Sequence, residues 1–287
     1  MQQSIGWYPG HMAKARRLLT EQLKRIDIAI ELCDARLPFS SRNPDLDLLL
    51  QNRPRLLLLN KSDLANPTGT KEWLAFFSNQ GIHCLAVTMP KGKKNILSAV
   101  EHLAAERLAR SQKRGITRSV RAMVVGVPNV GKSTLINYLA GRAAFKVQDR
   151  PGITRAPQWI QASPQLQLVD TPGMLWPKLD DPLAARRLTY IAAVRDEVVD
   201  VYRLSLSLLD ELMNIAPNEI ISRYNLKNPS LRGSQLLEDI CKNRGFLLRG
   251  GEMDVERGAV CVLDEFRSGK LGRITLEIPE GSPHEQG

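Results

Sequence analysis

Two hydrophobic periods alternate along the chain. Short, nearly continuous apolar runs occupy residues 26–33, 55–59, 83–87 and 122–127. Runs of this kind suit strands buried on both faces. Between them, residues 43–51, 71–80 and 95–110 vary with helical spacing. In the last stretch Leu97, Val100, Leu103, Ala104 and Leu108 fall on one face. A further helix is expected over 132–140. Residues 158–161 and 166–169 read as a strand pair joined by Ser163-Pro164-Gln165. Strands alternating with helices predict an α/β fold, a mostly parallel sheet with helices on both faces.

After Asp180 the strand pattern stops. Residues 183–194, 199–215, 219–224, 234–244 and 254–266 all read as helices. Trp176-Pro177-Lys178-Leu179-Asp180-Asp181-Pro182 has the composition of a connector. Residues 1–178 are therefore expected to form an α/β domain and residues 179–287 an all-α C-terminal domain.

Composition narrows the function classes. At 287 residues, 43% hydrophobic and 24% charged, the chain is globular and long enough for two ordinary domains. Its formal net charge is +10, which favours a polyanionic partner. The excess lies in residues 1–181, with 26 basic and 14 acidic side chains; the remainder has 14 and 16. Basic residues cluster at 14–25, 91–94, 107–121 and 142–155, with Trp7, Tyr8 and Trp159 near enough in sequence to stack on unpaired bases. The segment 106–121 reads equally as a solvated helix end with a linker and as a nucleic-acid contact. In the C-terminal part, Arg186 with Arg187 and Lys242 with Arg244 read as local basic patches or as solvated helix faces. Four scattered cysteines without a CxxC pair argue against a disulfide framework or zinc site and fit a reducing cytoplasm. No apolar run reaches membrane-spanning length and the first residues lack a secretory pattern, so no membrane partner is expected.

Gly126-Val127-Pro128-Asn129-Val130-Gly131-Lys132-Ser133-Thr134 matches the phosphate-binding loop, and it lies between an expected strand and an expected helix. Glycine lets backbone N–H groups curl around phosphate oxygens, and the helix N-terminus adds a favourable dipole. Asn129 to Thr134 are thus candidate nucleotide contacts. Lys132 would reach the terminal phosphates and Ser133 would bind Mg²⁺. Asn60-Lys61-Ser62-Asp63 directly follows the run at 55–59. An aspartate there accepts both edge hydrogens of guanine, a donor pair that adenine lacks. Asn60 would bond N7, and the Lys61 stem would pack over the base. Alone this motif arises by chance in about 4% of chains this long, so the phosphate loop beside it decides its weight. Asp170-Thr171-Pro172-Gly173 ends another strand: Asp170 would serve Mg²⁺ and Gly173 N–H the γ-phosphate. Thr154, in Pro151-Gly152-Ile153-Thr154-Arg155, would add a hydroxyl to Mg²⁺ and an N–H to the γ-phosphate.

The order of these motifs is unusual. A Ras-like GTPase runs from phosphate loop to switch threonine, DxxG and then NKxD. Here NKxD comes first and DxxG last, so the chain reads as circularly permuted. Packed cores tolerate such a change because chain termini often lie close together. Wrapping the order assigns the guanine loop to Thr88-Met89-Pro90. It also leads DxxG directly into the helical region, so nucleotide state is expected to alter that region's orientation.

Together with Gly6–Ala15 (GWYPGHMAKA) and Asp34-Ala35-Arg36-Leu37-Pro38, these motifs resemble the YlqF/RbgA family of circularly permuted ribosome biogenesis GTPases. The resemblance covers residues 6–173 motif by motif. It implies GTP hydrolysis coupled to binding and release of a precursor of the large (50S) ribosomal subunit and its rRNA, by a cytoplasmic protein monomeric off the ribosome. Met174 follows DxxG and cannot orient an attacking water; the resemblance implies His11 in that catalytic role, while the residues alone equally allow a turn or an RNA contact. It also implies that Asn129 helps bind K⁺. Hydrolysis is expected to be slow until a ribosomal partner stimulates it. Two alternatives stand beside this reading: an RNA-binding module in which turnover is incidental, and a tRNA-associated GTPase.

Overall fold

The best covered strand is one whose apolar run is interrupted by a charged residue, Glu31. In the computed structural model, which describes residues 17, 20–50, 53–113, 115, 119–142, 158–171 and 181–280, β1 (Ile28–Asp34) is buried along its whole length. It lies parallel between β2 (Arg55–Asn60) and β4 (Val120–Gly126). β3 (His83–Ala86) extends the sheet beyond β2, and β6 (Leu166–Asp170) extends it beyond β4, both in parallel. β5 (Gln158–Ser163) pairs antiparallel with β6 at the far edge, giving the order β3-β2-β1-β4-β6-β5.

Helices cover both faces, and the strand period of two decides which residues meet which helix. Ile28, Ile30 and Leu32 join Ile96, Val100 and Ala104 of α3 (Lys93–Gln112) and Leu135, Ile136 and Leu139 of α4 (Lys132–Ala140). On the other face, Ala29 meets Leu46 of α1 (Pro44–Leu49), and Cys33 meets Trp73 and Phe77 of α2 (Pro67–Asn79). α2 begins earlier than its apolar spacing predicts. Asn66 Oδ1 accepts the N–H groups of Thr68 and Gly69 at 2.9 and 3.1 Å, and Pro67 fills the first turn. A cap, rather than periodicity, sets that boundary.

The second part contains α5 (Pro182–Tyr190), α6 (Val201–Ile215), α7 (Pro217–Tyr224), α8 (Gly233–Arg244) and α9 (Val255–Arg267). Leu208 and Leu212 of α6, Leu237 and Ile240 of α8 and Val262 of α9 pack in one core that is contiguous with the sheet. α5 stops at Tyr190, short of the expected 194, where Ala192 takes a left-handed φ of 56°. The expected domain boundary at 178/179 lies outside the described residues. Among the described residues no helix is long and apolar enough to cross a membrane.

The described residues that follow α9 are not helical. Residues 273–278 run back as a strap along the loops that follow β1 and β2. Leu276 N donates to Arg36 O at 2.9 Å, Ile274 N to Leu64 O at 3.1 Å, and Trp73 Nε1 to Glu277 O at 2.9 Å. The buried Glu277 carboxylate accepts the N–H groups of Phe39 and Ser40. A second tie is Arg36, only 1% exposed. Its guanidinium donates to both Asp34 oxygens at 2.9 and 2.8 Å and to Phe266 O at 2.8 Å. One buried ion pair thus joins the central strand to the last turn of α9, whose carbonyls favour a cation.

Burial opposes ionisation of Asp34, but Arg36 and then Lys61 outweigh it and hold the carboxyl well below the usual carboxylate range. Because the folded-state value is depressed, this stabilisation is complete above the unfolded value of 3.8 and is lost as pH falls below it. Replacing Arg36 by Ala leaves the buried carboxylate short of a partner and should lower stability by about 3–5 kcal/mol. Urea unfolding near neutrality and at acid pH checks this. The variant should also lose less stability than the wild type on acidification, and equal losses in both would contradict the ion pair's role.

Candidate nucleotide-binding site

Parallel strands deliver their carboxyl ends to one edge, and that edge is where ligands bind in open α/β sheets. Asp34 stands level with Asn60, Leu32 with Gly126 and Val124 with Asp170. The loops after β1, β2, β3 and β4 therefore meet beside Asp170 at the end of β6, although the chain reaches them far apart in sequence.

The loop after β4 wraps into α4. Asn129 and Gly131 take left-handed backbone, φ 61° and 102°. A Cβ on Gly131 would lie 2.5 Å from Asn60 Nδ2, and one on Gly126 would lie 2.4 Å from Leu32 O, so only glycine permits these approaches. Lys132, 7% exposed, turns its Nζ onto Val127 O at 2.9 Å. Burial pushes its ammonium down to about 8, against the opposing pull of Asp170. Ser133 Oγ donates to Asp170 Oδ2 at 3.0 Å, and Thr171 Oγ1 donates to Val124 O at 2.8 Å. A hydroxyl and a carboxylate side by side are the hard oxygen donors that suit Mg²⁺. Val130 is wholly buried in the core, so its contribution to a ligand is restricted to its main chain. Thr134 is half-buried in the first turn of α4.

The loop after β2 locks onto this one. Asn60 Nδ2 donates to Val130 O at 2.7 Å, and Lys61 Nζ donates to Asn129 O at 3.1 Å. Lys61 Nζ also lies 3.2 Å from Asp34 Oδ2. Asp63 is exposed, as a carboxylate awaiting a base should be. The loop after β3 joins through Thr88, whose hydroxyl shares a 2.9 Å hydrogen bond with that of Ser62. Met89 packs its side chain against the main core. Hence Asn60, Lys61, Asp63, Thr88, Asn129, Gly131, Lys132, Ser133 and Asp170 all stand at one edge of the sheet. His11, Thr154, Gly173 and Met174 lie outside the described residues.

Several contacts at this edge have no counterpart in the sequence reading. Asn129 Nδ2 donates to Ala192 O at 2.6 Å, so the phosphate loop touches the turn that ends α5. Asp34 belongs to a quoted motif, but its ion pair with Lys61 has no local sequence signal. Of the two basic pairs in the C-terminal part, Arg186 and Arg187 are engaged with Glu211 and Arg244 with Glu265, while Lys242 is exposed. Trp159, 37% exposed, carries the Arg121 guanidinium 5.7 Å above its ring.

Comparison with known proteins agrees with this geometry. Residues 121–229 match the family model described as 50S ribosome-binding GTPase. The chain is 44% identical to ribosome biogenesis GTPase A of Bacillus cereus, over 96% of this chain and 94% of that protein. The chain belongs to the ribosome biogenesis GTPase A family. The family's Thermotoga maritima member is 32% identical over 96% of this chain and 95% of its own length. The crystal structure of GNP-bound YlqF from that organism superposes with a TM-score of 0.64 at 27% identity, covering 93% of this chain and 99% of that one. The fold is accordingly that of an α/β P-loop GTPase, permuted in motif order.

An anion arriving at Lys132 would offset, by its counter-charge, the burial that depresses the ammonium and so draw a proton onto it. GDP binding at pH 8 should take up about half a proton and tighten as pH falls from 9 to 7. Calorimetry in two buffers of different ionisation enthalpy reads this uptake. Heats independent of the buffer would contradict it.

Proposed function

We propose that the chain hydrolyses GTP as an assembly factor for the large ribosomal subunit, with turnover coupled to its association with a precursor particle and release from it. The observation that carries this reading is the 2.7 Å bond from Asn60 to Val130 O. It fastens a guanine-reading loop to a phosphate-binding loop, which supports a single pocket for base and phosphates. The relatives' names supply the ribosome, and the basic first two thirds supply a surface suited to rRNA.

In this pocket, Asp63 accepts the paired edge hydrogens of guanine, Asn60 and Lys61 frame the base, and the loop of Thr88 and Met89 closes beside it. Main-chain N–H groups of Asn129 to Thr134 hold the phosphates at the N-terminus of α4, and Lys132 meets their charge. Ser133, Asp170 and Thr154 would hold Mg²⁺, which neutralises phosphate charge when bound. The Gly173 N–H would serve the γ-phosphate. His11 would orient the attacking water in place of the residue that Met174 cannot replace. Asn129 would offer its amide oxygen to K⁺, since its amide nitrogen is turned to Ala192. That same contact supports transmission of nucleotide state to the helical part. Residues 1–178 and 179–287 would act as nucleotide and particle-facing domains of a cytoplasmic monomer, without a membrane partner.

Asp63→Asn replaces an acceptor by an amide and should weaken GDP binding by about 100-fold while improving binding of xanthosine diphosphate, whose 2-oxo group needs a donor. Sedimentation with large-subunit precursors should show co-migration that differs between GDP and a nonhydrolysable GTP analogue. Single-turnover hydrolysis should rise when the particles are added. Binding without stimulation would favour an RNA-binding module in which turnover is incidental.

A further inference from the structure

The loop after β2 bears the guanine reader, but much of what holds it comes from the far end of the chain. Arg273 Nη2 donates to Ser62 O and Arg273 Nε to Ala65 O, both at 3.1 Å. Ile274 N donates to Leu64 O at 3.1 Å, and Asn66 N donates to Thr275 Oγ1 at 3.0 Å. Four of the five residues from Ser62 to Asn66 are therefore tied by their main chains to positions 273–275. The seating is close: a Cβ on Gly269 would lie 2.6 Å from Leu64 Cδ2, and one on Gly69 would lie 3.6 Å from Thr275 Cβ. Asp63 and Leu64 lie between the two carbonyls that Arg273 holds.

A carboxylate that recognises two hydrogens at once needs its backbone fixed, because both bonds must form with good geometry. An exposed loop does not fix itself. The Arg273 guanidinium can fix it, being planar, always charged, and able to offer two donors at a set spacing to carbonyls on either side of Asp63. We propose that Arg273 is a positioning residue for guanine discrimination, holding the loop on both sides of Asp63 so that its carboxylate meets the base edge. The proposal rests on Asp63 being the guanine reader. It adds that specificity for the base is set partly by the strap that follows α9, outside the α/β part that carries the recognition motifs.

The test compares GDP with inosine diphosphate, which lacks the 2-amino group, on the full chain. Wild type should prefer GDP. Arg273→Ala should lower GDP affinity about ten-fold, the loss expected when charge-assisted hydrogen bonds to the loop are removed. It should lower inosine diphosphate affinity less, so that the preference shrinks while the thermal midpoint changes little. Arg273→Lys keeps the charge but loses the two-point fork and should fall between. Should Arg273→Ala fail to fold, Thr275→Val removes only the acceptor of Asn66 N and should reduce the preference in the same direction. If these variants keep the wild-type preference, or lose both nucleotides equally, the positioning role is overturned. If wild type itself does not distinguish the two nucleotides, the Asp63 reading fails, and this inference falls with it.

Discussion

A single buried carboxylate sets the geometry of this molecule. Asp34 ends the central strand with its side chain fully enclosed. An ion in that position is tolerated only when it is paired and hydrogen-bonded, so each partner is held in place by the penalty of leaving it. Its partners lead in different directions. Arg36 continues to Phe266 O at the end of α9, and Lys61 continues to Asn129 O in the phosphate loop. The same charge therefore fixes the base-reading loop, the phosphate loop and the helical part of the chain. Hydrophobic burial forms the sheet and helices, but it does not specify which loop meets which; Asp34 does.

That arrangement explains why motif order matters little to the pocket and much to the rest of the fold. Parallel strands present the same edge wherever the chain is cut, so Asn60 meets Val130 although it precedes the phosphate loop by seventy residues. Permutation changes where the chain goes next. After β6 it enters the helical part instead of returning to the sheet. Among the described residues the helical part then touches the pocket's surroundings in two regions: at Ala192 against Asn129, and through Phe266 and 273–277 against the loops after β1 and β2. One contact is at the phosphate end and the other at the base end. Under the proposed function, a change of nucleotide that moves either loop would act on the helices through a hydrogen bond already in place.

The legible part of the sequence is that governed by local rules. Continuous apolar runs locate the parallel strands because strands buried on both faces need them, and glycine-dependent φ values locate the phosphate loop because nothing else fits there. Apolar spacing misplaces the start of α2 because Asn66 and Pro67 set it through capping, to which spacing is blind. It overruns the end of α5 because the apolar residues continue past Ala192 into a turn that is also buried. The contacts of Asp34, Arg36, Arg273 and Glu277 are illegible for a different reason. Apart from the Asp34–Arg36 pair, which lies within one short motif, each joins residues distant in sequence or serves a carbonyl, and a carbonyl leaves no mark in a sequence. Residues 273–278 look like an unremarkable tail, and their burial follows only once α9 has aimed them at the sheet edge.

The two ends of the pocket use charge in opposite ways. At the base end the ions are already satisfied: Asp34 has Arg36 and Lys61, and the loop carrying Asp63 is tied down by Arg273. Little reorganisation is left for a base to induce, which is the condition for discriminating among bases. At the phosphate end the charge is held under strain. Lys132 is buried, its ammonium is pushed down to about 8, and it donates to a carbonyl of its own loop at Val127. A phosphate would add counter-charge to the partial compensation that Asp170 already gives. The bonds from Asn60 and Lys61 to the phosphate loop hold the two ends together, which supports their serving one ligand.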